Sequence, residues 1–203
     1  MEALDYFSKG GPVMYVLTAC SIVAVALFFE RLWAMRTGHV NPPYLISEIA
    51  ELVRGGKQAE ALARAIGSRS PAGAIFAAVL RRADLQEPQL KEVAQEVGRR
   101  EAARLERFVE AIGVISALGP LLGLLGTVFG MIKVFQRVNE AGAGSPVEMA
   151  SGIWEALLAT AFGLLVGIPA LVMYRFLLAR ADSLVLVLED EAVALIEALK
   201  HKT

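Results

Sequence analysis

The sequence has little of what most enzyme and metal sites are built from. It contains one cysteine, Cys20, and two histidines, His39 and His201. A single cysteine cannot form an internal disulfide, and so few thiol and imidazole groups exclude a Cys/His zinc site. The net charge of −1 provides no basic field for a nucleic acid. We therefore expect no metal, no cofactor and no nucleic-acid partner.

Charge is also scarce, and its distribution is uneven. Charged residues make up 20% of the chain and hydrophobic residues 56%, with a mean hydropathy of +0.53. Three stretches, 10–29, 111–132 and 149–174, carry no charge apart from Glu155. About 20 helical residues cross the ~30 Å hydrocarbon core of a bilayer. The sequence therefore predicts an all-α integral membrane protein with three transmembrane helices.

The first apolar stretch has an alternative interpretation as a cleaved signal, because residues 17–20 resemble a lipoprotein processing box. A signal peptide has a positive first segment and an apolar segment of 7–15 residues. Here the apolar stretch continues nine residues past Cys20, and Lys9 is offset by Glu2 and Asp5. We predict a retained helix in which Cys20 is a small packing residue.

Basic residues near the membrane ends predict the orientation, since Lys and Arg favour the cytoplasmic side. Arginines follow the first and third stretches and precede the second, whereas residues 138–147 have none. Lys133 and Arg137 depart from this pattern and are expected to snorkel outward. The sequence thus predicts a multi-pass membrane protein with an outer N-terminus and a cytoplasmic C-terminus. Its segments are a short outer N-terminus (1–9), helix one (10–29), a cytoplasmic helical segment (30–110), helix two (111–135), an outer loop (136–148), helix three (149–174) and a cytoplasmic C-terminal helix (175–203).

The predicted cytoplasmic regions are also helical. Proline and glycine positions indicate short helices over 42–55, 59–67 and 70–80, and a longer helix that runs from Pro88 into the membrane without interruption. The C-terminal region has an apolar face, which implies packing on other helices. Two interpretations remain open for this face, self-assembly and folding onto the 30–110 segment. Its residues are Leu184, Leu188, Ala192, Leu195 and Leu199.

Small residues form stripes on helices two and three, at the spacing that lets helix backbones approach closely. Close helix packing is expected at the residues of these stripes, which include Ser116, Pro120, Gly123, Gly130, Ala156, Gly163 and Gly167. Each stripe also holds one threonine, Thr127 or Thr160. The hydroxyl of a single threonine can donate a hydrogen bond to a carbonyl of its own helix, so a single threonine in a membrane helix does not by itself indicate a function. Two threonines, each on a small-residue face, indicate a narrow polar path or a site for a partner's polar group.

Glu155 is the one charge inside the three stretches. A mid-membrane carboxylate costs about 2.5–3.5 kcal/mol and usually marks function. Glu155 is about 9 Å inside its stretch, so an interfacial packing or gating role remains an alternative to a proton-pathway role. Either Glu155 suffices for proton transfer, or another polypeptide supplies the carrier. An intramembrane enzyme would need a nucleophile with a base, or metal ligands. Because no His or Asp lies in the three stretches, we predict that the protein is not an enzyme.

Two segments carry a family resemblance. Residues 117–130, ALGPLLGLLGTVFG, and 152–169, GIWEALLATAFGLLVGIP, resemble the signature segments of the MotA/TolQ/ExbB proton-channel family. The three-helix order is similar to that of ExbB and TolQ, whereas MotA has four membrane helices. Trp154 and Arg175 depart from the pattern, which has a small residue and an asparagine there.

The resemblance implies a protein of the bacterial inner membrane, with a periplasmic N-terminus, that forms a pentameric ring around two copies of an ExbD/TolR-type partner with one membrane helix each. Helices two and three would line the central pore, with the small-residue stripes packing on the pore face. The partner's membrane aspartate would carry the proton, Thr127 and Thr160 would face it, and Glu155 would belong to the same motif. Such a motor uses the proton motive force for TonB-dependent uptake or, through a TolA-type protein, for envelope maintenance. The alternative is a passive oligomeric membrane scaffold with no ion conduction, because small-residue faces alone would support one.

Overall fold

The structure, a computed structural model, describes residues 11–141 and 146–200, and all regular structure in those ranges is helical. The predicted N-terminal segment 1–9 lies outside the described residues. Eight helices are present in the two ranges: α1 (Gly11–Ala34), α2 (Thr37–Val40), α3 (Leu45–Arg54), α4 (Gln58–Gly67), α5 (Pro71–Leu80), α6 (Glu87–Glu106), α7 (Val109–Ala141) and α8 (Pro146–Lys200).

Three of these helices, α1, α7 and α8, are long and apolar enough to cross a membrane. The expected class, an all-α membrane protein with three long apolar helices, is confirmed. Pro120 lies inside α7 and Pro169 inside α8. Proline is tolerated in membrane helices because neighbouring groups satisfy the freed carbonyls.

The chain folds into two compact units. One, here called the membrane unit, consists of residues 11–29, 108–141 and 146–176. The other, the helical-bundle unit, consists of residues 30–107 and 177–200. Each unit therefore combines segments that are far apart in the sequence.

Local sequence signals explain the short helices of the bundle unit, which begin and end close to the predicted residues. The clearest case is α5, where Pro71 is the first helical residue and Ser70 precedes it. The Ser70 Oγ accepts a hydrogen bond from the backbone N–H of Gly73 at 3.1 Å. This bond satisfies one of the N–H groups that a helix start leaves open.

Two expectations about helix ends are wrong. The predicted continuous helix from Pro88 into the membrane is interrupted at Arg107 and Phe108, where the chain passes from the bundle unit to the membrane unit. The predicted loop at 136–148 is helical as far as Ala141 and again from Pro146. Hydropathy marks where an apolar stretch ends, but a helix satisfies its own backbone and continues beyond that point.

The apolar face of the C-terminal part of α8 is covered within the chain. Its five predicted residues are each 7% exposed or less, inside the bundle unit: Leu184, Leu188, Ala192, Leu195 and Leu199. Of the two interpretations, folding of this region onto residues of the same chain is the one observed. The face therefore gives no argument for self-assembly.

Candidate functional site in the membrane helices

The small-residue stripes of α7 and α8 pack against each other, and the line of contact between them is here called the seam. A Cβ atom added to Gly163 would lie 2.6 Å from the carbonyl oxygen of Gly119, and one added to Gly123 would lie 2.9 Å from that of Ala159. Backbone therefore meets backbone, which only glycine allows at this distance. The residues expected on a pore face take part in this contact within one chain: Ser116, Pro120, Gly123, Gly130, Ala156, Gly163 and Gly167.

The seam is antiparallel, and its register follows from the same contacts. The facing pairs are Gly130 with Ala156, Gly123 with Thr160, and Gly119 with Gly167. Gly126, beside Thr127, faces Ala159, beside Thr160. Both threonines therefore lie at the same level of the helix pair.

The two threonine hydroxyls are held differently. Thr127 Oγ1 donates to the carbonyl oxygen of Leu124 in its own helix at 2.6 Å, which is the ordinary arrangement of a helical threonine. Thr160 Oγ1 donates across the seam to the carbonyl oxygen of Gly123 at 3.2 Å. Both side chains are half-buried. With its proton engaged, each hydroxyl oxygen keeps lone pairs that can accept a hydrogen bond.

Glu155 lies on α8, five residues before Thr160, and is half-buried. It lines a small cavity of the membrane unit together with Lys133, Phe129 and Gly130 of α7. The neighbouring Trp154 points outward and is 57% exposed. Sequence reasoning singled out Glu155 but missed Lys133, which it treated as a residue extending to the interface. The antiparallel arrangement of the two stripes could have predicted that Lys133 lies near Glu155, because it brings the end of α7 opposite the beginning of α8.

The second departure from the family pattern, Arg175, lies at the other end of the seam. Its guanidinium is 6.0 Å from the centre of the Tyr174 ring. A Cβ on Gly113 would lie 2.9 Å from the same ring. Across residues 11–141 and 146–200, no group of three His, Cys, Asp or Glu side chains is placed to hold a metal ion.

The segments that form the seam lie within the part of the chain that matches a known family. The sequence model of the MotA/TolQ/ExbB proton channel family matches residues 67–190, which is more than half of the chain and includes both threonines and Glu155. The chain belongs to this family. Its match covers parts of both units, so the likeness is not confined to the apolar stretches.

Relatives within the MotA/TolQ/ExbB family carry the names ExbB and TolQ. A protein of Synechocystis sp. named as ExbB-like 1 is 37% identical over 185 residues, covering 86% of this chain and 70% of the relative. The biopolymer transport protein ExbB of Salmonella typhimurium is 31% identical over 193 residues, which cover 89% of this chain and 77% of the relative. The Tol-Pal system protein TolQ of Haemophilus influenzae is 36% identical over 85 residues, which cover 42% of this chain and 37% of the relative.

Family membership and the three apolar helices together define the protein at a coarse level. It is a multi-pass membrane protein of a proton-channel family, and it is a subunit for membrane energy transduction. The family is one of channels and transport subunits rather than of enzymes.

Proposed function

We propose that this chain forms the proton-conducting ring of an ExbB/TolQ-like motor in the bacterial inner membrane. In this proposal five copies surround a dimer of an ExbD/TolR-type partner, and the energy passes to a TonB- or TolA-type protein. The N-terminus is periplasmic and the helical-bundle unit is cytoplasmic. The observation that carries the proposal is the pair Thr127 and Thr160, which lie at one level of a seam within the family match.

The hydrogen bonds of the threonines suit a carboxyl group that alternates between two protonation states. In the observed state both hydroxyls donate to backbone carbonyls and offer only acceptor lone pairs, which fits a protonated acid of the partner. A carboxylate instead needs donors, so each hydroxyl must turn away from its carbonyl. Such an exchange costs about 0.5–1.5 kcal/mol for each hydrogen bond. Proton transfer thus changes the contacts and frees the partner helix to move.

The glycines have a different task from the threonines in this proposal. Because Gly119, Gly123 and Gly163 bring two backbones into contact, they hold both hydroxyls at one level and leave little freedom for the helices to separate. The glycines of the seam thus position the threonine hydroxyls and take no direct part in proton transfer. Preorganisation of this kind keeps donors and acceptors where charge appears and disappears.

The test is proton flux into liposomes that contain the chain together with an aspartate-bearing partner. We expect flux with the intact partner, and none with the chain alone or with a partner whose aspartate is changed to asparagine. An assembled complex without flux would support the passive scaffold.

The threonines are tested in the same assay. Thr127→Val and Thr160→Val should abolish flux while assembly, measured by size-exclusion chromatography, persists. Thr18→Val is the matched control, because Thr18 Oγ1 on α1 also donates to a backbone carbonyl, that of Met14 at 2.7 Å. Flux at the wild-type level in both seam variants would remove the threonines from the path.

A further inference from the structure

Two residues of opposite charge, Lys133 and Glu155, line the same small cavity in the membrane unit. The cavity measures about 30 Å³ and is lined by Glu155 of α8, by Lys133, Phe129, Gly130 and Gly126 of α7, and by residues 11–13 of α1. All three apolar helices therefore contribute to its wall. In the proposed orientation it lies toward the outer face of the membrane.

The packing of the seam explains why Lys133 and Glu155 line the same cavity. Gly130 packs so tightly on Ala156 that an added Cβ would lie 2.8 Å from the Ala156 Cβ. Glu155 directly precedes Ala156, and Lys133 lies about one turn after Gly130 in α7. The antiparallel register thus brings both charges to the same level.

The cavity has room for water. In the part of the chain that the structure describes, neither Lys133 nor Glu155 has a direct ion-pair partner within 4.0 Å. A cavity of about 10–15 Å³ is enough for one water molecule when polar partners are present. The cavity at Glu155 is larger than this, and one lysine and one glutamate are among its lining residues. The Lys133 side chain is exposed and that of Glu155 is half-buried, so both can reach water.

We propose that Lys133 and Glu155 form a water-bridged charge pair, and that Lys133 is a positioning residue that holds the Glu155 carboxylate in place at the outer end of the seam. A carboxylate at this depth is costly without a compensating charge, and Lys133 is the cation on its cavity. The bridging water gives Glu155 contact with the outer aqueous phase. This role of Lys133 in transport rests on the proposed proton-conducting function, whereas the charge pair itself does not.

The pair is tested by thermal unfolding of the purified chain, without the partner. We expect Lys133→Met and Glu155→Gln each to lower the Tm, and the double variant to lower it no further than the more damaging single change. Exchange of the two residues, Lys133→Glu with Glu155→Lys, should recover part of the loss. Arg137→Met is the matched control, because Arg137 is about one turn further along α7 and does not line the cavity. Its effect should add to that of Glu155→Gln. Additive effects of Lys133→Met and Glu155→Gln would overturn the pair.

The positioning role is tested by proton flux with the partner present. Lys133→Met should lower flux as far as Glu155→Gln does, Lys133→Arg should retain it, and Arg137→Met should leave it unchanged. Wild-type flux in Lys133→Met, with flux lost in Glu155→Gln, would overturn the positioning role. If the wild-type complex carries no protons while the unfolding data show coupling, the proposed function fails and the charge pair stands.

Discussion

The helices of the two units pack through different kinds of residue. In the membrane unit, glycines fill the contact between helices, while large side chains such as Leu121, Leu165 and Ile22 are 60–66% exposed. In the helical-bundle unit, Phe76 and Leu195 are fully buried and ion pairs lie at the surface. Water drives apolar side chains together, but lipid is as apolar as leucine. Helices in lipid therefore associate through close backbone packing.

The largest expected effect tests the water-driven side of this comparison. Leu195→Ala removes a fully buried side chain and should lower the free energy of unfolding by about 2–5 kcal/mol. Leu186→Ala, on the same helix but 62% exposed, should change it by less than about 0.5 kcal/mol. Chemical denaturation in detergent measures both. An equal loss in the two variants would mean that the exposed face is also buried in an assembly.

The lipid-driven side is tested at the seam. Gly163→Ala forces a Cβ against the carbonyl oxygen of Gly119, and we expect a loss of about 1–3 kcal/mol from overpacking. Gly98→Ala is the matched control in the bundle unit, because its Cβ would meet only Ile75 Cδ1 at 3.9 Å. Alanine is the better helix former by up to about 1 kcal/mol, so this variant should be neutral or stabilised. Unchanged stability in Gly163→Ala would contradict a backbone-to-backbone seam.

A smaller effect concerns the polar contact between Asn41 and Glu191. Asn41 Nδ2 donates to Glu191 Oε1 at 2.7 Å, while Asn41 Oδ1 and Glu191 Oε2 are buried without a hydrogen-bond partner in the described chain. Asn41→Ala should cost about 1 kcal/mol, because Glu191 loses its donor. Glu191→Gln introduces an N–H donor among these acceptors and should preserve or raise the Tm. A Tm lower in Glu191→Gln than in Asn41→Ala would show that the carboxylate charge itself stabilises the unit.

The smallest expected effect lies at the surface of α6. Glu87 raises the pKa of Lys91 through a hydrogen bond and through its negative charge. A raised lysine pKa stabilises the fold below the unfolded-state pKa, and the benefit is lost as the pH rises through the folded-state value. Lys91→Met should therefore lower the Tm near neutral pH only slightly, and this small difference from the wild type should disappear as the pH rises through the lysine pKa. A clear loss at neutral pH would contradict a solvent-exposed pair.

Local patterns were sufficient to predict several features. The uncharged stretches predicted three long apolar helices, and Ser70 with Pro71 marked the start of α5, because these signals depend on neighbouring residues alone. The break at Arg107 and Phe108 was missed. No proline or glycine marks it, and it coincides with the passage between two units.

Composition and spacing alone determined the class of the protein and the two small-residue stripes, and they led to the prediction that Thr127, Thr160 and Glu155 are site residues. Only the tertiary structure decided that the stripes face each other, that Lys133 shares a cavity with Glu155, and that residues of the same chain cover the C-terminal apolar face. The reason is physical. Periodicity reports which side of a helix is small or apolar, whereas the register between two helices depends on contacts between residues that are distant in the sequence.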